Sequence, residues 1–65
     1  MTTLEEFIKM WKESLGTLKY IHLNNDDVIF ADYYMIDEFD FSTVSLFKDS
    51  SFIATVKISN IKGIN

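Results

Sequence analysis

The chain has 65 residues, a net charge of −4, no cysteine, no arginine and a single histidine. That length allows one small domain, and the missing cysteines exclude disulfides and thiolate metal sites. An acidic surface without arginine is a poor match for phosphate backbones, which lysine and arginine must neutralise.

The first residues, Met1-Thr2-Thr3-Leu4-Glu5-Glu6, are acidic with no apolar run behind them, so a signal peptide is not expected. No stretch approaches the ~18 apolar residues of a membrane span. A cytoplasmic location is the expectation.

A helix is predicted over about residues 3–15. Thr3 and Glu6 fit a capping box, in which hydroxyl and carboxylate each satisfy a free amide of the first turn. Leu4, Phe7, Ile8, Trp11 and Leu15 recur at helical spacing and form one apolar face. Burying them contributes on the order of 10 kcal/mol gross, at roughly 1.5–3 for each large side chain. Gly16 is expected to end the helix in a left-handed conformation.

Strands are predicted over about 17–23, 28–36, 41–47 and 52–59, with a short one at 61–64. These runs are rich in β-branched and aromatic residues. Asn24-Asn25-Asp26-Asp27, Asp37–Asp40 and Lys48-Asp49-Ser50-Ser51 are the turns between them, because Asn, Asp and Ser bond their own backbone there. Short connections imply antiparallel hairpins. In the long second strand, strict alternation puts Val28, Phe30, Tyr34 and Ile36 on one face. Ile29, Ala31, Tyr33 and Met35 fall on the other. Both faces are apolar and both need cover.

Hydrophobic residues make up 48% of the chain, while a chain of this size buries only about 60% of its unfolded surface. No proline protects any sheet edge. A homo-oligomer is therefore expected.

The middle of the chain concentrates its charge. Residues 20–47 hold no lysine and six carboxylates: Asp26, Asp27, Asp32, Asp37, Glu38 and Asp40. Tyr33-Tyr34-Met35 in the same stretch suits either an interface or the core, since aromatics and Met serve both. An acidic aromatic surface made by Asp32, Tyr33, Tyr34, Asp37, Glu38 and Asp40 is the candidate contact for a partner macromolecule, a basic protein being the natural match. Mimicry of nucleic acid would need the carboxylates to share a face, yet the two acidic turns lie about 30 Å apart along the second strand.

Helix followed by five short strands is the order of the Sm-like family, which includes the bacterial Sm-like RNA chaperones. Leu23-Asn24-Asn25-Asp26 resembles that family's first hairpin. Phe39-Asp40 with Phe41 to Leu46 is similar to its Phe-Asp turn and third strand. Ile61-Lys62-Gly63 resembles the Ile-Arg-Gly of its second motif. The resemblance implies an N-terminal helix on a strongly bent antiparallel sheet of four to five strands, an α+β small barrel of Sm-like or SH3-like type. It also implies an RNA-binding ring as the alternative function, with Asp40, Phe41, Lys62 and Gly63 as RNA-contacting positions. The departures are specific. Asp26 replaces the hairpin glycine, and Ala31 stands nearest the glycine of the bent strand. Thr43 is nearest the base-reading Asn, and Lys62 replaces an arginine whose planar fork it lacks.

No catalytic residue, metal site or cofactor is assigned. His22 shares a strand face with Tyr20 and has no glycine elbow near a serine, so it reads as structural. Asp37, Glu38 and Asp40 are clustered, but lack the glycine and distal Glu of an EF-hand loop and read as a solvated turn. A metal-assisted hydrolase using Asp37 and Asp40 is the most distant reading. Phe39 is expected to anchor inward at this bend.

Overall fold

The computed structural model describes all residues from Met1 to Asn65. The helix α1 (Leu4–Glu13) is followed by β1 (Lys19–Leu23), β2 (Val28–Ala31), β3 (Tyr33–Asp37), β4 (Asp40–Lys48), β5 (Ser51–Lys57), a 3-10 turn (Ile58–Asn60) and β6 (Ile61–Ile64). All strand pairs are antiparallel. The α+β class is as expected, but the single bent sheet of four to five strands is not. The strands form two three-stranded sheets, in the orders β2-β1-β6 and β3-β4-β5.

Thr3 caps α1 as its sequence predicts. The Glu6 amide donates to Thr3 Oγ1 at 3.2 Å, and the Thr3 amide donates to Glu6 Oε1 at 3.0 Å. The helix stops earlier than predicted, at Glu13, because Ser14 turns extended. Leu15 therefore leaves the apolar face and stands 91% exposed. Gly16 does take a positive φ of 82°, in the connection beyond the helix rather than at its cap.

The free carbonyls after α1 find a partner in Lys19. Its ammonium donates to the carbonyls of Ser14 at 2.8 Å and Gly16 at 2.7 Å, and lies 5.8 Å from the centre of the Trp11 ring. Lys19 is the only buried charged side chain, and these two bonds are what make its burial tolerable.

Phe7, Ile21, Ala31, Val44, Leu46, Ile58 and Ile61 form the core between helix and sheets. Tyr34 joins it edge-on to Phe7 at 5.0 Å and against Trp11 at 4.8 Å.

The predicted strand over 28–36 breaks at Asp32, and this break decides the architecture. Asp32 occupies a bend between β2 and β3. Its amide donates to the Phe47 carbonyl at 2.9 Å, and its carboxylate accepts the Asp49 amide at 3.0 Å. A single residue out of pleat reverses the side-chain phase. Val28 and Phe30 point outward from β2, whereas Tyr33 and Met35 point outward from β3. Ile29, Ala31, Tyr34 and Ile36 all pack against or within the core. The predicted face groupings thus mixed inside with outside.

The remaining boundaries move slightly. β1 starts at Lys19 rather than near residue 17, β4 extends to Asp40 and Lys48, and β5 gives way to the 3-10 turn at Ile58. That turn lets β6 return to β1, where Ile21 opposes Ile64 and His22 opposes Gly63. The final residue extends the pairing: the Asn65 amide donates to the Tyr20 carbonyl at 3.0 Å, and the Tyr20 amide to the Asn65 carbonyl at 3.1 Å. No helix is long and apolar enough to cross a membrane.

Candidate interaction surface

The outward face of the β3-β4-β5 sheet is built by register. Tyr33 opposes Phe47, which opposes Phe52, and in the next row Met35 opposes Ser45, which opposes Thr55. Their chain neighbours Tyr34, Leu46 and Ala54 form the parallel inward row, Leu46 fully buried. Tyr33 and Phe52 are 58% and 59% exposed. The three rings form a row, with centroids 6.0 Å apart from Tyr33 to Phe47 and 5.9 Å from Phe47 to Phe52.

A second apolar face belongs to the β2-β1-β6 sheet. Leu18, Tyr20, His22, Val28 and Phe30 line a shallow concavity of about 330 Å³. Tyr20 and Phe30 meet edge-on at 5.1 Å. His22 Nε2 lies 3.0 Å from the Asn65 side-chain amide.

The predicted partner-binding residues separate into two ends and an inside. Asp32 and Tyr33 lie at the base of the β3–β4 hairpin, beside the aromatic row. Asp37, Glu38 and Asp40 lie at its tip. Tyr34 faces the core. Several carboxylates hold backbone. Asp37 accepts the Phe39 amide at 2.8 Å, and Asp40 accepts the Ser42 amide at 2.9 Å together with the Ser42 hydroxyl. The Ser42 hydroxyl, then its amide, hold the Asp40 carboxyl below the ordinary range. Phe39 does not anchor inward; it is 89% exposed, because the hairpin tip extends past the core.

The residues pointed to by the Sm-like resemblance are also divided. Lys62 reaches Asp26 of the β1–β2 turn at 2.6 Å. That hydrogen bond, and then the charge of Lys62, hold the Asp26 carboxyl low. Asp26 has φ 71°, a left-handed conformation that Asp tolerates better than most residues. Phe41 is exposed and shares a cavity of about 310 Å³ with Met1, Leu4, Ile58 and Ser59, a cavity that Lys62 and Gly63 do not line.

Aside from Lys62–Asp26, the one ion pair is Lys9–Glu13 on the helix at 4.0 Å. Asp32, Asp37, Glu38, Asp40 and Asp49 therefore have no cationic partner. No three His, Asp or Glu side chains converge as metal ligands.

The chain matches no protein-family model, no curated protein and no solved structure.

The signals missed by sequence reasoning are Phe47, Phe52 and Asp49. Phe47 and Phe52 become neighbours through a β-bulge between Leu46 and Phe47, which alternation alone does not reveal.

Proposed function

We propose that the chain is a non-catalytic binding or regulatory protein that acts as a homo-oligomer and engages a partner macromolecule through an acidic, aromatic outer surface. The observation that carries this reading is the set of exposed apolar side chains on the outward faces of both sheets: Tyr20, Val28, Phe30, Tyr33, Met35, Phe52 and Ile53. Contiguous apolar surface of this kind marks interaction sites.

Two sheet edges support the oligomer. β5 and β6 each pair on one side only. The β5 sequence, Ser51-Phe52-Ile53-Ala54-Thr55-Val56-Lys57, has no proline and only one charge. Proteins normally protect such an edge, and pairing with a second copy does so. Head-to-tail pairing of unlike edges closes a ring when the rotation allows.

The finer fold reading is an Sm-like small barrel. Its support is the capped N-terminal helix, the interruption of the 28–37 segment at Asp32 and the return of β6 to β1. The same features favour an Sm-like RNA-binding ring as the second reading, with exposed Phe41 available to stack on a base. The unpaired carboxylates and the engaged Lys62 weigh against it.

Native mass spectrometry of the purified protein tests the principal reading. A defined oligomer at tens of micromolar, an order-of-magnitude working range, is the expected result. A monomer under those conditions overturns the oligomeric part, and a stable complex with single-stranded RNA transfers the function to the second reading.

A further inference from the structure

Two carboxylates neighbour the row Tyr33–Phe47–Phe52 along the chain. Asp32 directly precedes Tyr33, and Asp49 lies in the β4–β5 turn, its amide 3.0 Å from the Asp32 carboxylate. Neither acid has a cationic partner in the chain. Lys48 adjoins the row in sequence without lying over it, since the one cation–π contact of the molecule is Lys19 on Trp11. Ring faces carry negative electrostatic potential. Two exposed rings flanking the half-buried Phe47, next to unneutralised carboxylates, select a cation that can both stack and hydrogen-bond.

A guanidinium does both. It is planar, stacks on aromatic faces, is more weakly hydrated than an ammonium and pairs with carboxylates through a fork of donors. The chain contains no arginine, so such a group must come from another molecule. We propose that the Tyr33–Phe47–Phe52 row, with Asp32 and Asp49, docks arginine side chains presented by a protein partner. This rests on the acidic-surface reading above and names the partner's chemistry. Nucleic-acid bases stack on the same kind of rings, but their phosphates would face Asp32 and Asp49 with like charge.

Amide NMR titration with short blocked peptides tests the proposal, one built of Arg-Gly repeats and one of Lys-Gly repeats at equal charge. The arginine peptide should bind more tightly and shift the resonances of Tyr33, Phe47, Phe52 and Asp49. Phe52→Ser and Asp49→Asn should each weaken it by about two- to fivefold, the range of an exposed cation–π contact for the first and of an exposed ion pair for the second. Asn tolerates the left-handed backbone of Asp49, and retained spectral dispersion establishes that each variant is folded. Equal affinity for both peptides, indifference to Phe52→Ser, or an oligonucleotide shifting the same resonances in place of the peptide overturns the proposal. If binding ignores the row yet disappears on Asp37→Lys with Glu38→Lys, the acidic-surface reading stands without it. If no basic peptide shifts any resonance, both readings fall.

Discussion

Lys62 of β6 and Asp26 of the β1–β2 turn are joined by a 2.6 Å ion pair. The contact ties the tip of one hairpin to a strand near the far end of the chain. It also engages the cation that the Sm-like resemblance points to as an RNA contact. Both groups are exposed, so the pair is screened by salt.

That pair has a pH signature. The Lys62 hydrogen bond depresses the folded-state pKa of Asp26, so its contribution is present at neutral pH. It is lost as the pH falls through the ordinary Asp value, about 3.9, and then through the lower folded value. Asp40, held low by Ser42, and Glu6, held low by the Thr3 amide and hydroxyl, act with the same sign. The melting temperature of Asp26→Asn should fall slightly below that of the parent at pH 7. The two should converge toward pH 3, and also at neutral pH in about 1 M salt, where the Debye length shrinks to about 3 Å.

Lys19 offers a larger effect. Replacing it with Met keeps the apolar stem but removes both donors from the carbonyls of Ser14 and Gly16. Both bonds are part-buried, and a hydrogen bond to a charged group contributes about 1.5–3 kcal/mol. Urea unfolding should register that loss as a lower midpoint with an unchanged slope.

Leu46 and Phe39 should behave oppositely although both are large apolar residues in the same hairpin. Leu46 is fully buried and Phe39 is almost wholly exposed. Leu46→Ala should cost about 2–5 kcal/mol, a large share of the stability of so small a domain. Phe39→Ser should stay within about 0.5 kcal/mol of the parent. Parallel thermal melts compare the two directly.

The β4–β5 turn places Asp49 at φ 52° and Ser50 at φ 67° without a glycine. Two-residue hairpin turns with both positions left-handed favour glycine at the second. Ser50→Gly should therefore raise stability by roughly 0.5–1 kcal/mol, seen as a higher melting temperature. A lower one would show that Ser50 makes a compensating interaction.

Local signals carried much of the fold. Thr3 and Glu6 announce the helix start because a capping box is closed within four residues. The turns at Asn24–Asp27 and Asp49–Ser50 are legible because Asn, Asp and Ser bond their own backbone. Two features depend on distant partners and left no local trace. The bend at Asp32 is held by Phe47 and Asp49, far away in sequence. Leu15 looks like helix core, but Ser14 ends the helix before it, and Lys19 binds the carbonyls of the connection from the next strand. The candidate surface was partly legible for the same reason. Its carboxylates and Tyr33 stand in one stretch, while Phe47 and Phe52 join them only through strand pairing and a bulge.

The bend at Asp32 also makes the chain sensitive to a particular kind of genetic change. Deleting that one residue would let 28–31 and 33–37 run on as a continuous alternating strand. Tyr33 and Met35 would still face outward and Tyr34 and Ile36 inward, now in unbroken phase with Val28 and Phe30 outside and Ile29 and Ala31 inside. What would be lost is the bend between the two sheets, with the bonds from Asp32 to the Phe47 carbonyl and the Asp49 amide. A single in-frame codon loss at this position would keep every side chain on its face yet straighten the corner on which the two sheets turn.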